Sequence, residues 1–277
     1  MIQQNNNLSV LPFYGSIDEQ SHRRSYAYGD IYPLYTPTGN VPPFQLVIPH
    51  TTASISAVTL YKADGTSQGS IQSALNSGGL QKIDFSTDGY DVIVYPATSV
   101  ASVMTTEGQY YLTLTINGTT YYSDIVTAVG QISPYLKIEW YDNDDLVMEG
   151  ERICYQLAGS VTFKNRLYLA TEVGKPDYTF EEEGEQRDGL WFPEKMISEK
   201  TYKFTFLASE YLLDVMRFIR MADNIKVTDK YGRTYQCDTF LMTPKWEAQG
   251  NLASVEVEFQ TNTVAKRIGR AFTTINT

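Results

Sequence analysis

The chain has 277 residues, 42% hydrophobic and 19% charged, with a formal net charge of −10. That length accommodates two ordinary domains, and that balance excludes a disordered chain. The acidic excess argues against nucleic acid as a main partner. Phosphate binding needs a basic face, and His22-Arg23-Arg24 and Lys266-Arg267 with Arg270 are too short to supply one.

The unusual component is aromatic: 21 Tyr and 12 Phe stand against two His. Tyr suits pleated, half-buried surfaces and protein interfaces, because its ring buries area while its hydroxyl keeps a polar contact. No window reaches the roughly 18 apolar residues of a membrane span. Met1-Ile2-Gln3-Gln4-Asn5-Asn6-Asn7 lacks the charged start and apolar core of a secretory signal. If Met1 is the true start, the chain is expected to be made and kept in a cytoplasm. Cys154 and Cys237 are too few and too far apart for a disulfide framework or a zinc site. Cys237 lies in a strand pattern and reads as a buried, inert thiol.

Residues 1–40 read as an extended arm. Pro12, Pro33 and Pro37 forbid regular helix, while Tyr26, Tyr28, Tyr32 and Tyr35 are too dense for a solvated tail. Such a segment is expected to lie on a surface, either its own protein's or a neighbouring subunit's. Residues 41–130 then read as all β. Phe44, Leu46 and Ile48 mark a first strand; Val58 and Leu60 mark a second, with Asp64-Gly65 as its turn. Val92 to Tyr95 is a short strand ended by Pro96, and Ser77-Gly78-Gly79 reads as loop. The clearest signal is Tyr110 to Ile116, Asn117-Gly118, and Thr119 to Val126, since a type I′ hairpin turn needs two residues with positive φ. Asn117-Gly118-Thr119 is also a glycosylation sequon, but the turn accounts for it. Short strands at regular spacing predict an immunoglobulin-like β-sandwich without the Cys…Trp…Cys pattern of antibody domains.

Gly130 to Pro134 is the predicted boundary, and residues 131–270 form a second β-rich domain. Leu136 to Trp140 alternates cleanly; Asp142-Asn143-Asp144-Asp145 makes a turn; Val161 to Phe163 and Leu167 to Leu169 fit further strands. Residues 171–195 read as a long polar loop carrying Glu181 to Glu185 and then Trp191-Phe192, and a loop of that length is expected to contact another chain. Tyr202, Phe204 and Phe206 alternate as a strand. Ser209 then stands at an N-cap of one amphipathic helix near 209–222, with Leu212, Val215, Met216 and Ile219 on its apolar face. Asp223-Asn224 is expected to close that helix. Ile225 and Val227 lead into the turn Asp229-Lys230-Tyr231-Gly232 and a return strand through Tyr235 and Cys237, and Val255, Val257 and Phe259 form the last strand.

Sites of chemistry are sparse. Asp142 to Asp145 with Glu149 have the oxygen donors of a calcium loop but not its spacing, with Val147 where the Gly should stand; turn chemistry explains them. A consecutive run such as Glu181 to Glu185 does not hold two carboxylates at the fixed gap hydrolysis needs. His22 and His50 lie in no nucleophile setting, and no Gly-x-Ser-x-Gly elbow or phosphate-cradling glycine loop is present. No catalytic, cofactor or metal residues are therefore assigned, and no enzyme is expected. Trp191, Phe192 and the arm tyrosines suit a protein interface, or stacking on sugars in a carbohydrate-binding or adhesin module.

The carboxy-terminal half resembles virion structural proteins of bacteriophages that infect Bacteroides-type hosts, crAss-like phages or their relatives. The residues that carry the resemblance are Phe204 to Glu210, Lys245-Trp246-Glu247, Gly250 to Ala253, and Val255 to Phe259. The resemblance implies a non-enzymatic building block of a tail, baseplate or connector ring, with copies of itself and other virion proteins as partners and the virion as its location. Head-to-tail contacts with closure would give a ring. Within that reading, Arg217 and Arg220 are expected to meet the acidic loop around Glu181 to Glu185 of a neighbour, with Glu182 and Glu183 among its contacts.

Overall fold

The structure, a computed structural model, describes residues 9–20, 34–131, 134–148, 151–155, 162–246, 252–261 and 265–268. It is mainly β, in two sheet systems that follow one another along the chain. The first contains β1 (Phe13–Tyr14), β2 (Tyr35–Pro37), β3 (Phe44–Pro49), β4 (Ile55–Lys62) and β5 (Ser67–Ser70). After a short helix α1 (Gln72–Ser77) come β6 (Gln81–Phe85), β7 (Tyr90–Tyr95), β8 (Gly108–Ile116), β9 (Thr119–Ser123) and β10 (Val126–Val129).

Strand β8 is the spine of the larger sheet. It pairs with β4 along one edge and with β9 and then β10 along the other. The expected hairpin is present, with Asn117 at φ 48° and Gly118 at φ 75°, the left-handed pair a type I′ turn requires. Its second strand stops at Ser123 and does not run to Val126: Asp124 turns the chain, its carboxylate accepting from the Ile125 N–H at 2.7 Å. Facing this sheet is the three-stranded β3–β7–β6. Strand β7 is buried on both sides, with Ile93 and Tyr95 in the main core and Val92 and Val94 in a second cluster with Cys154, Tyr155 and Phe163. A strand buried on both faces loses alternation, hence its unbroken apolar run. Gly78 closes α1 against Tyr95, where a Cβ would lie 2.7 Å from the ring, so Ser77-Gly78-Gly79 ends a helix instead of a plain loop.

The amino-terminal segment takes the first of its two expected surfaces. Strand β1 pairs antiparallel with β9 and β2 parallel with β10, while Val10, Leu11 and Phe13 enter the core. The described parts of the arm therefore lie on their own protein.

The second system contains β11 (Leu136–Tyr141), β12 (Leu146–Met148), β13 (Glu151–Cys154), β14 (Asn165–Leu169), β15 (Asp177–Arg187) and β16 (Leu190–Ala208). Helix α2 (Glu210–Met216) follows, then β17 (Asn224–Thr228), β18 (Thr234–Trp246), β19 (Ala253–Thr261) and β20 (Ala265–Ile268). The long sheet runs β14-β11-β17-β18-β19-β16-β15. Its inner face carries Ile138, Phe204, Phe240, Val257 and Phe259, onto which α2 packs Leu212, Val215 and Met216. Ser209 caps α2 as expected, its Oγ accepting from the Leu212 N–H at 3.3 Å.

Three expectations change. The helix does not run unbroken to 222; it loosens after Met216 and resumes as a 3₁₀ turn at Ile219–Met221. Asp223-Asn224 is no left-handed cap: Asn224 opens β17, and Asp223 exchanges backbone bonds with the 142–143 turn, at 3.1 Å from its N–H to Asp142 and at 2.9 Å from the Asn143 N–H to its carboxylate. Phe163 lies outside any strand, and Val161 lies outside the described residues; β14 begins at Asn165.

Among the described residues no strand pairing crosses the 130–134 boundary, yet one hydrophobic cluster draws side chains from both sides of it. Polar contacts tie the units as well. The buried Gln45 amide donates to the Tyr155 carbonyl at 2.5 Å and accepts from the Tyr155 N–H at 3.0 Å. Tyr211 Oη donates to the Ser9 carbonyl at 2.5 Å, and the Tyr35 and Tyr135 rings stand 4.9 Å apart.

Candidate interaction surface

Residues 171–176 of the segment read as a polar loop at 171–195 lie in no strand, but from Asp177 the segment is a β-ribbon. Strands β15, of 11 residues, and β16, of 19, pair from Asp177↔Thr201 to Arg187↔Leu190, with one shift of register after Glu183. The turn between them is Asp188-Gly189, with φ 51° and 79°. Asp-Gly is a type I′ hairpin signal, and it was present in the sequence. What hid the strand is its composition: Glu is depleted in strands, and a run of Glu shows no buried face.

Only the second part of β16, Thr201 to Ala208, is backed by β19. The first part and β15 reach beyond that sheet, joined on one side by β20 from Lys195↔Ile268 to Ser198↔Ala265. At about 3.3 Å per residue, β15 is about 35 Å long. Tyr178 and Phe180 alternate on one face of it at 57% and 69% exposed, and Asp177, Thr179, Glu181 and Glu183 on the other are exposed too. Among the described residues β15 is the last strand of the sheet, so its outer edge pairs with no described strand.

The outer face of the same sheet is densely charged, and its β15 end is mixed, since the registers also put Lys195 and Lys266 there. Pairing registers place Asp177, Glu181, Glu199, Glu256 and Glu258 toward the β15 end, with Lys203 bound to Glu258 at 2.9 Å and Lys245 to Glu256 at 3.3 Å. The other end carries Lys137, Arg166 and Lys226 around a single carboxylate, Glu139. Burial works to raise the Glu139 pKa, but the Lys137 and Arg166 cations outweigh it and hold the group below its usual range.

The described residues among those singled out in the sequence do not gather at one place. Glu182, Glu183, Trp191 and Phe192 all belong to the ribbon, with Trp191 opposite Gln186 and Phe192 opposite Glu185. Tyr35 sits at the junction of the two units, half-buried against Tyr135. Tyr26, Tyr28 and Tyr32 lie outside the described residues. Arg217 follows α2, 3.9 Å from Asp214 and over the Phe218 ring, and Arg220 is exposed in the 3₁₀ turn. Both cysteine thiols are buried, and burial pushes each pKa up to about 12. An inert role for Cys237 fits that burial.

One further cluster was not anticipated. His50, Asp84 and Asp91 bring one donor atom each within 4.8 Å of one another, the one such group among the described residues. Asp91 is fully buried; its carboxylate receives the Thr51 N–H at 2.9 Å and the Lys82 ammonium at 3.3 Å, with His50 Nδ1 at 3.0 Å. Burial alone would raise its pKa, and these three partners bring it below the ordinary value. By contrast, the Asp142 carboxylate of the acidic turn accepts from the Asp223 N–H, and the Asp223 carboxylate accepts from the Asn143 N–H. No helix among the described residues is long and apolar enough to cross a membrane. The sequence matches no protein-family model and no curated protein.

Proposed function

We propose that this chain is a non-enzymatic structural subunit of a bacteriophage virion, a repeated component of a tail, baseplate or connector ring that holds its neighbours through exposed β elements. The observation that carries this reading is the β15–β16 ribbon. β15 is exposed on both faces from Asp177 to Phe180; a ribbon with so little buried side-chain area is marginal by itself in water, and it gains most from being covered by another chain. A long edge strand suits strand addition, and its carboxylates keep the association selective. A subunit that offers an exposed edge at one place and accepts it at another makes head-to-tail contacts, the arrangement that closes into rings.

The test is the mass of the full chain by light scattering, with negative-stain images of the same sample. It is compared with a variant in which residues 182–196 are replaced by Asp-Gly, rejoining the register pair Glu181 and Ile197. A discrete oligomer or ring for the full chain, reduced to a folded monomer by the shortened ribbon, is the expected result. An assembly unaffected by shortening refutes the role of the ribbon, and a full chain monomeric at its highest soluble concentration removes self-assembly. The exposed pair Tyr178 and Phe180 also fits a sugar-stacking surface. Glycan binding by a monomer, lost on Tyr178→Ala with Phe180→Ala, would favour a carbohydrate-binding module instead.

A further inference from the structure

We propose that His50, Asp84 and Asp91 form a binding site for a divalent first-row transition ion, with zinc as the ion the donor set suits best. The inference stands apart from the virion reading and rests on the register of β6 and β7. That pairing sets Asp84 directly opposite Asp91. Like charges opposite one another on antiparallel strands are destabilising unless a cation lies between them. Both carboxylates converge on one imidazole: Nδ1 of His50 is 3.0 Å from Asp91 Oδ1 and 3.7 Å from Asp84 Oδ1.

Zinc bonds to nitrogen and carboxylate oxygen are about 2.0–2.2 Å, so tetrahedral donors stand roughly 3.3–3.6 Å apart. The two separations from the imidazole bracket that spacing, and the carboxylate oxygens lie within 4.8 Å of one another, so a small side-chain rotation of the exposed Asp84 completes the set. Each donor is also held from behind. The Ser86 N–H fixes Asp84 Oδ1 at 2.7 Å, and the His50 backbone N–H is anchored on the Gly89 carbonyl at 3.1 Å. Lys82 and the Thr51 N–H bind the other oxygen of Asp91, Oδ2, and leave Oδ1 turned toward the imidazole. Two carboxylates and one ammonium leave a local charge of −1, so a bound cation reduces the imbalance. The Asp84 side chain is 61% exposed and that of His50 31%, which leaves the fourth position open to water and gives the ion a path in.

Coordination needs the Nδ1 lone pair, so His50 binds in the tautomer that carries its proton on Nε2. Nickel and cobalt suit the same donors; magnesium and calcium, which prefer oxygen alone, do not.

Calorimetric titration of the full chain with zinc chloride, paired with melting curves, tests the site. The expected result is saturable one-to-one binding and a zinc-dependent rise in melting temperature. Both should weaken by about tenfold or more in Asp84→Asn and in His50→Ala, as loss of a ligand or its support does. Asp84 is exposed and Asp84→Asn relieves its repulsion with Asp91, so the variant is expected to melt no lower than the wild type without metal, which keeps the test independent of folding. No binding at millimolar zinc would overturn the proposal. Binding that survives both substitutions would also overturn it, since the ion would then lie elsewhere. Stabilisation by magnesium but not zinc would do the same.

Discussion

Gln45→Leu is the substitution that most sharply tests how the two units are joined. The Gln45 amide acts as a short length of ladder, giving one hydrogen bond to the Tyr155 carbonyl and taking one from the Tyr155 N–H, in a buried setting. Leu keeps most of the volume and removes both bonds. It leaves a donor and an acceptor of the buried Tyr155 backbone without partners, at about 1–3 kcal/mol each before relaxation. With relaxation allowed, the expected loss is about 2–4 kcal/mol. At about 2 °C per kcal/mol for a chain of this size, the melting temperature falls by about 4–8 °C. Urea unfolding followed by tryptophan fluorescence gives the first number, and hydrogen exchange at the Tyr155 amide locates it. That amide should lose protection more than those of β8, which lie in the other sheet. A loss below about 1 kcal/mol, with the Tyr155 amide still protected, would refute the view that this side chain couples the units. Gln45→Glu is a useful companion: it retains an acceptor for the N–H but sets a carboxylate oxygen against the Tyr155 carbonyl, and should cost more than Leu.

Two further substitutions probe the same region. The Tyr95 hydroxyl is buried with no hydrogen-bond partner among the described residues, and burial pushes its pKa up to about 12; Tyr95→Phe should leave stability unchanged or raise it by about 1 kcal/mol, and a loss in thermal unfolding would reveal a partner. Asp91→Ala leaves the buried end of the Lys82 and His50 network uncompensated and should cost about 3–5 kcal/mol at neutral pH. Because the folded pKa of Asp91 is depressed, its contribution is present above the ordinary carboxylate range and lost as pH falls through the folded value. The gap between wild type and variant in acid unfolding curves should therefore close below about pH 4, and a gap that widens there would contradict the assignment.

The elements legible from the sequence are those in which one local rule acts alone. Alternation identified β11 and β19, where each strand has one buried face, and the burial of Leu136, Ile138 and Trp140 against the half-exposed Lys137, Glu139 and Tyr141 follows from it. Asn117-Gly118 specified its hairpin because few other pairs accept two positive φ values, and Ser209 specified the start of α2 because a free N–H needs an oxygen. The ribbon carried the same kind of signal at Asp188-Gly189, but β15 is exposed on both faces from Asp177 to Phe180 and so shows no apolar period there. Tertiary structure alone decided the rest. Val92 to Tyr95 is apolar throughout because segments distant in sequence cover both of its sides, and no local pattern says which segments those are. Gln45 meets Tyr155 across 110 residues. Asp84, Asp91 and His50 meet because a four-residue turn and a second strand pairing fix one register, and each is unremarkable in its own stretch of chain. Pairing across a sheet depends on which edges meet, and that is settled by the packing of the whole core, not by the neighbours of any one residue.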